Sequence, residues 1–145
     1  FILGITFGSG SLIAYSLQSN DFTVSLMILY TGIVAWIISF DTYYALEDKE
    51  DDLKININST AIMWGENAIK YARILHLFFY ASLILIAILN KFSYIFLLVI
   101  VLLLLVFIYQ RKLINESKFL DAFKINNLVG IIVVLGFLIE ITLLK

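Results

Sequence analysis

Apolar residues in this chain come in unbroken runs, without the regular alternation of a half-buried strand. Residues 22–40 carry no charge over 19 positions, residues 92–110 over another 19, and residues 74–90 over 17. Each run is about long enough to cross a hydrocarbon core of roughly 30 Å as a helix. Residues 1–17 form a fourth run, rich in Gly and Ser. Residues 125–144 form a fifth, broken only by Glu140 near its end. The pattern predicts an all-α integral membrane protein with five transmembrane helices, over about 1–17, 22–44, 70–90, 92–110 and 125–144. A membrane β-barrel needs alternating polarity, and stretches such as 102–107 have none.

Composition agrees: 62% of residues are hydrophobic and only 14% charged. A soluble domain is nearer half apolar and a quarter charged. The formal net charge of −1 gives no basic patch for a nucleic-acid backbone. With no cysteine, disulfides, thiolate metal sites and a Cys nucleophile are excluded. Lys49, Lys54, Lys70 and Arg73 share one connection, and Arg111, Lys112, Lys118 and Lys124 share another. Only Lys91 and Lys145 fall on the opposite side. This bias predicts that both basic loops lie on the cytoplasmic side; a bacterial inner membrane is the expected location, with a mitochondrial inner membrane the alternative. Phe1 lies inside an apolar run, so residues are expected upstream.

The charge pattern changes most sharply at residues 41–52, where six of twelve positions are acidic. If the second span continues helically through them, Asp48 and Asp52 each fall within about 20° of Asp41 around the axis. Tyr44 lies about 60° away. Such a stripe repels itself unless a cation offsets it. Mg²⁺ suits it, being a hard ion commonly held by one or two carboxylates and by substrate phosphate oxygens. The bland alternative is a solvated helix end, but an ordinary stop signal favours Lys and Arg. His76, alone on an apolar span, reads as structural. Trp36 and Trp64 read as packing or interfacial residues. Gly4, Gly8 and Gly10 read as close-packing positions, and Glu140 as reaching water at the far interface. Asn126 and Asn127 stand where they can cap a helix start.

The string Asp41-Thr-Tyr-Tyr44-Ala45-Leu-Glu-Asp48-Lys-Glu-Asp51-Asp52-Leu-Lys54-Ile-Asn-Ile-Asn-Ser59-Thr60-Ala61, followed by Gly65, resembles the second aspartate-rich motif of the UbiA-type membrane prenyltransferases. Tyr109-Gln110-Arg111-Lys112-Leu113-Ile114 and the stretch from Phe123 through Asn126 and Asn127 to Gly130 resemble later motifs of that family. Asn56 stands where the family usually has Gly, and Asn58 where it has Lys.

The resemblance implies a nine-helix bundle. This chain then corresponds to helices five to nine, the C-terminal part of one transmembrane domain, with the N-terminal half and its own aspartate-rich motif missing. It implies transfer of a polyprenyl group from an allylic polyprenyl diphosphate to an aromatic acceptor, with 4-hydroxybenzoate of ubiquinone biosynthesis the expected one. A naphthoate and haem are the rival acceptors. The fragment alone is then expected to be inactive. Asp48 and Asp52 are the implied Mg²⁺ ligands, with Asp41 and Tyr44 catalytic. Lys54 and Asp51 are implied at the diphosphate, and Asn126 and Asn127 in the cavity. A cation-binding membrane protein without enzymatic activity is the competing class. It would place its carboxylates deeper in a span.

Overall fold

The computed structural model describes residues 2–17, 21 and 23–142, and among these it contains helices and no strand. In chain order the helices are α1 (Ile2–Ser16), α2 (Val24–Glu47), α3 (Lys49–Lys54), α4 (Thr60–Trp64), α5 (Ala68–Leu89), α6 (Ile95–Asn115), α7 (Phe119–Lys124) and α8 (Asn126–Thr142). A 3₁₀ turn, Gly65–Asn67, joins α4 to α5. Four stretches are long and apolar enough to cross a membrane: Val24–Glu47, Thr60–Leu89, Ile95–Asn115 and Phe119–Thr142. The fifth expected span, α1, is apolar but has 15 residues, or ~22 Å at the usual rise per residue. Phe1, residues 18–20 and Phe22, and the last three residues with Lys145 lie outside the described residues.

Helix α2 is the hub, touching α1, α4, α5 and α7. Its start is set by Thr23, whose hydroxyl accepts the Leu26 amide at 3.2 Å, satisfying a donor the first turn leaves free. Lipid gives apolar faces little reason to pair, so close approach and hydrogen bonds hold such bundles together. Glycines supply the approach. A Cβ on Gly4 would meet Ile38 at 2.9 Å, and one on Gly8 would meet Val34 at 2.9 Å. One on Gly32 would run into the Ser82 hydroxyl. Gly10, expected to act likewise, has nothing within 4 Å; it lies on the exposed side of α1.

Buried polar groups supply the hydrogen bonds. His76 is fully buried, with Nε2 3.0 Å from the Tyr80 hydroxyl and Nδ1 3.5 Å from Ser39. Tyr80 donates its proton to the Leu103 carbonyl at 3.1 Å, so the imidazole proton sits on Nε2. This ties α2, α5 and α6 together, the structural role expected of His76. Glu140 departs from expectation. It is 4% exposed and accepts from both the amide and the hydroxyl of Ser93. The carboxylate thereby fastens the end of α8 to the turn before α6, where a helix start favours negative charge.

Three helices end on a left-handed residue that is not glycine. Asn56, Lys91 and Ser117 have φ of 53°, 54° and 57°. In each case the next amide reaches back five residues: Ile57 to Asp52 at 3.0 Å, Phe92 to Ala87 at 2.9 Å, and Lys118 to Leu113 at 2.9 Å. This is the Schellman closure, which glycine usually supplies. Asn56 holds this position without glycine, since Asn is among the residues that best tolerate this conformation.

Candidate functional site

The acidic segment is not one continuous helix. Helix α2 stops at Glu47, and Asp48 takes φ −86° and ψ 2°. The Asp48 amide still donates to Tyr44 at 3.2 Å, while its carbonyl accepts from Asp51 at 3.0 Å and Asp52 at 2.9 Å. The near-zero ψ bends the path, and the chain re-enters helix at Lys49. Asp41 therefore belongs to α2, and Asp52 to the short α3.

Tyr44 stands one turn before Asp48, exposed at the end of α2, with its ring packed on Phe123 at 5.2 Å. Asp48 and Asp52 are half-buried. Asp51 and Lys54 are not part of this group: they pair with each other at 2.7 Å, with side chains 81% and 70% exposed. Lys54 therefore stands as a solvated counter-charge at the rim.

Threonines hold the acidic segment against its neighbour. The buried Thr42 donates to the Ile38 carbonyl at 2.7 Å, so it receives the Thr60 hydroxyl proton across 2.9 Å. Ala61, next to Thr60, is fully buried. The Asp-Thr-x-Tyr-Ala and Ser-Thr-Ala strings thus owe two of their residues to the docking of α4 on α2.

Towards the membrane interior the same face of α2 is aromatic. Trp36, Phe40, Tyr44 and Asp48 follow at four-residue steps, which brings them along one side of a helix. Trp36 lies flat on Phe79 at 4.9 Å and edge-on to Phe40 at 5.5 Å. Phe123 of α7 packs on Phe40 at 5.8 Å and on Tyr44 at 5.2 Å. Beside this wall is a pocket of about 390 Å³ bounded by Leu3, Phe7, Trp36, Phe40 and Phe123, with Asp41 as its charged group. A second cleft, about 510 Å³, runs along α8 past Trp36, Asn126, Asn127, Gly130 and Val134.

Asn126 and Asn127 have different fates. Asn127 is exposed on the cleft. Asn126 is buried and does not cap α8. Its amide nitrogen donates backwards to the carbonyls of Ala122 and Phe123, and its oxygen accepts from Trp36.

Hard oxygen donors suited to Mg²⁺ are present at Asp48 and Asp52. Among the described residues no three carboxylate or imidazole groups assemble into a ready-made cage. Two carboxylates completed by substrate oxygens are the arrangement Mg²⁺ commonly accepts, so the donor set fits.

The model of the UbiA prenyltransferase family matches residues 1–138. The chain is 33% identical to a 4-hydroxybenzoate octaprenyltransferase of Saccharophagus degradans over 144 residues, covering 96% of this chain and 48% of the relative. It is 34% identical to the enzyme of the same name from Vesicomyosocius okutanii, covering 99% of this chain and 54% of that one. A third, from Francisella tularensis subsp. novicida, is 32% identical over 91% of this chain and 48% of its own length. The chain thus spans about half the length of these relatives. No solved structure matches it.

Proposed function

The chain belongs to the UbiA prenyltransferase family, and on that premise we propose that it is the C-terminal half of an enzyme that transfers a polyprenyl group from an allylic diphosphate to 4-hydroxybenzoate, in ubiquinone synthesis. One observation carries this reading beyond the family: an aromatic-lined apolar pocket has Asp41 as its charged group, and Tyr44, packed on the Phe123 of its wall, leads within one turn to Asp48 at the end of the α2 span, with Asp52 just beyond in α3. An allylic diphosphate reacting with an aromatic acceptor needs carboxylates near its head and a dry aromatic wall at its reacting carbon. The names of the relatives support the same acceptor.

The residues divide the work by their chemistry. Asp48 and Asp52 would hold Mg²⁺ at the donor's head. When bound, that ion supplies Lewis-acid neutralisation of the departing diphosphate. Lys54, at the exposed rim, is placed to meet the diphosphate as a point charge. Trp36, Phe40 and Phe123 line the pocket, with Tyr44 packed on Phe123, and an aromatic face stabilises a cation by about 1–2 kcal/mol where water is excluded. The apolar lining delays capture of the allylic cation by water. Asp41, the charged group of the pocket, is placed to orient the acceptor's phenol and take up a proton. Asn127 faces the cleft that a tail would occupy. The positive-inside bias supports a cytoplasmic position for this end of the bundle. These 145 residues alone are expected to be inactive, because the family's other aspartate-rich motif does not occur in them.

The experiment uses the full-length parent in membranes. Prenylation of labelled 4-hydroxybenzoate is followed for wild type and Asp48→Asn, with Mg²⁺ varied. Loss of one preorganised charge contact should slow turnover by about 10²-fold or more. Undiminished Mg²⁺-dependent transfer by Asp48→Asn would remove the ligand assignment. A wild-type parent that prenylates a naphthoate or haem, and not 4-hydroxybenzoate, would replace the acceptor.

A further inference from the structure

Two motif segments that the site does not use for chemistry meet at one carbonyl. Helices α7 and α8 are separated by a break at Ile125, which releases the Ala122 carbonyl from the usual helical ladder. Two side-chain amides take it up: Gln110 of α6 donates at 2.8 Å, and Asn126 donates at 3.1 Å. The Asn126 amide nitrogen gives its other proton to Phe123 at 2.9 Å. Both Gln110 and Asn126 are almost wholly buried, at 1% and 6% exposure. Asn126 thus spends both of its donors on the break. Its oxygen accepts the Trp36 indole N–H at 2.9 Å, a link between residues ninety positions apart.

Trp36 is the wall shared by the Asp41 pocket and the α8 cleft. Gly130 lies along its outer edge, where even an added Cβ would make only van der Waals contact with the indole, at 3.4 Å. Its inner face is set by Phe79. The remaining in-plane freedom of the ring is removed by the bond to Asn126. The same amide node fixes Phe123, which packs on both Phe40 and Tyr44.

We propose that Asn126 is a positioning residue: with Gln110 it locks the α7–α8 break and so holds Trp36 as a fixed partition between the Asp41 pocket and the α8 cleft. Its consequence for turnover rests on the function proposed above. The partition keeps the acceptor side and the tail side of the site distinct, and an indole free to swing would let the two merge.

The test is a double-mutant cycle in the full-length parent with Trp36→Phe, which keeps a ring on Phe79 but lacks the N–H, and Asn126→Ala. Each single change is expected to lower kcat/KM for the acceptor roughly tenfold, about one hydrogen bond's worth. The double variant should be no worse than either, because both break one link. Gln110→Leu should reproduce the loss, although leucine suits an apolar interior better. A hundredfold fall in the double variant would mean that Asn126 acts independently of Trp36, by touching substrate, and would overturn the proposal. A second readout needs no turnover: 5-fluorotryptophan labelling, with the Trp36 resonance assigned by its disappearance in Trp36→Phe. That resonance should broaden or split in Asn126→Ala and in Gln110→Leu, and an unchanged resonance would also overturn the proposal. A wild-type parent without prenyl transfer to 4-hydroxybenzoate defeats the functional reading alone, and the fluorine spectra still decide this one.

Discussion

Replacing Gly32 with alanine should be among the most damaging one-carbon changes in the chain. The added Cβ would run into the Ser82 oxygen and stand 2.9 Å from Ser82 Cβ and 3.5 Å from Phe79. Ser82 cannot simply rotate away, because its hydroxyl donates to the Phe79 carbonyl at 2.7 Å and the residue is buried. Helices α2 and α5 would have to separate by an ångström or more. Overpacking of this kind costs typically 1–3 kcal/mol, and about 3 kcal/mol is expected for so short an approach. At the usual slope for a protein of moderate size, the melting temperature falls by roughly 6–12 °C. Phe79 also carries the flat face of Trp36, so activity should fall as well. The assay is thermal denaturation of the detergent-solubilised full-length protein, read as the fraction still monodisperse after heating. Ser82→Gly in the Gly32→Ala background clears both short contacts and should recover most of the loss. Gly10→Ala, with open space around its Cβ, should be neutral or gain up to about 1 kcal/mol from helix propensity. Equal melting of Gly32→Ala and wild type, or an equal drop in Gly10→Ala, would refute the packing argument.

Other perturbations test separate features. Glu140→Ala removes the acceptor of the Ser93 amide and hydroxyl. It should cost about 2 kcal/mol, the range for hydrogen bonds to a charged group, and show as a lower melting temperature with site residues untouched. Gly65 sits at φ 53° and ψ −125° with empty space around it. Gly65→Ala should therefore cost about 1–3 kcal/mol from backbone conformation alone, and chemical denaturation would expose a neutral result. Ser117→Gly relieves a left-handed serine and should stabilise by about 1 kcal/mol, measured in the same way.

Long charge-free runs made four spans legible, because a helix in lipid must be apolar for most of its length whatever it packs against. The first run was harder, since hydropathy does not say how much of it is wound: α1 has 15 residues. The acidic segment was found as composition, but its local shape was not. Aspartate does not interrupt a helix strongly, and only the Asp48 dihedrals show that α2 ends there. Glu140 looked water-facing because its partner, Ser93, is 47 residues away. Gly32 had no mark to set it apart from Gly10; the difference lies in the opposing serine. The aromatic face from Trp36 to Asp48 was open to reading from four-residue spacing alone, whereas the Trp36–Asn126 bond depends on how α8 lies beside α2.

The interruption at Asp48 has an electrical consequence. A helix of 24 residues leaves about half a negative charge on its terminal carbonyls. Helix α2 discharges that end beside Asp48, and α3 brings the Asp52 carboxylate to the same place. Helix α3 starts at the same point with its positive end, so the two dipole ends offset each other and the excess negative charge here is that of the carboxylates, only partly countered by Lys49 and Lys54. On the function proposed above, a diphosphate head would settle at this spot with a counter-ion between it and those carboxylates.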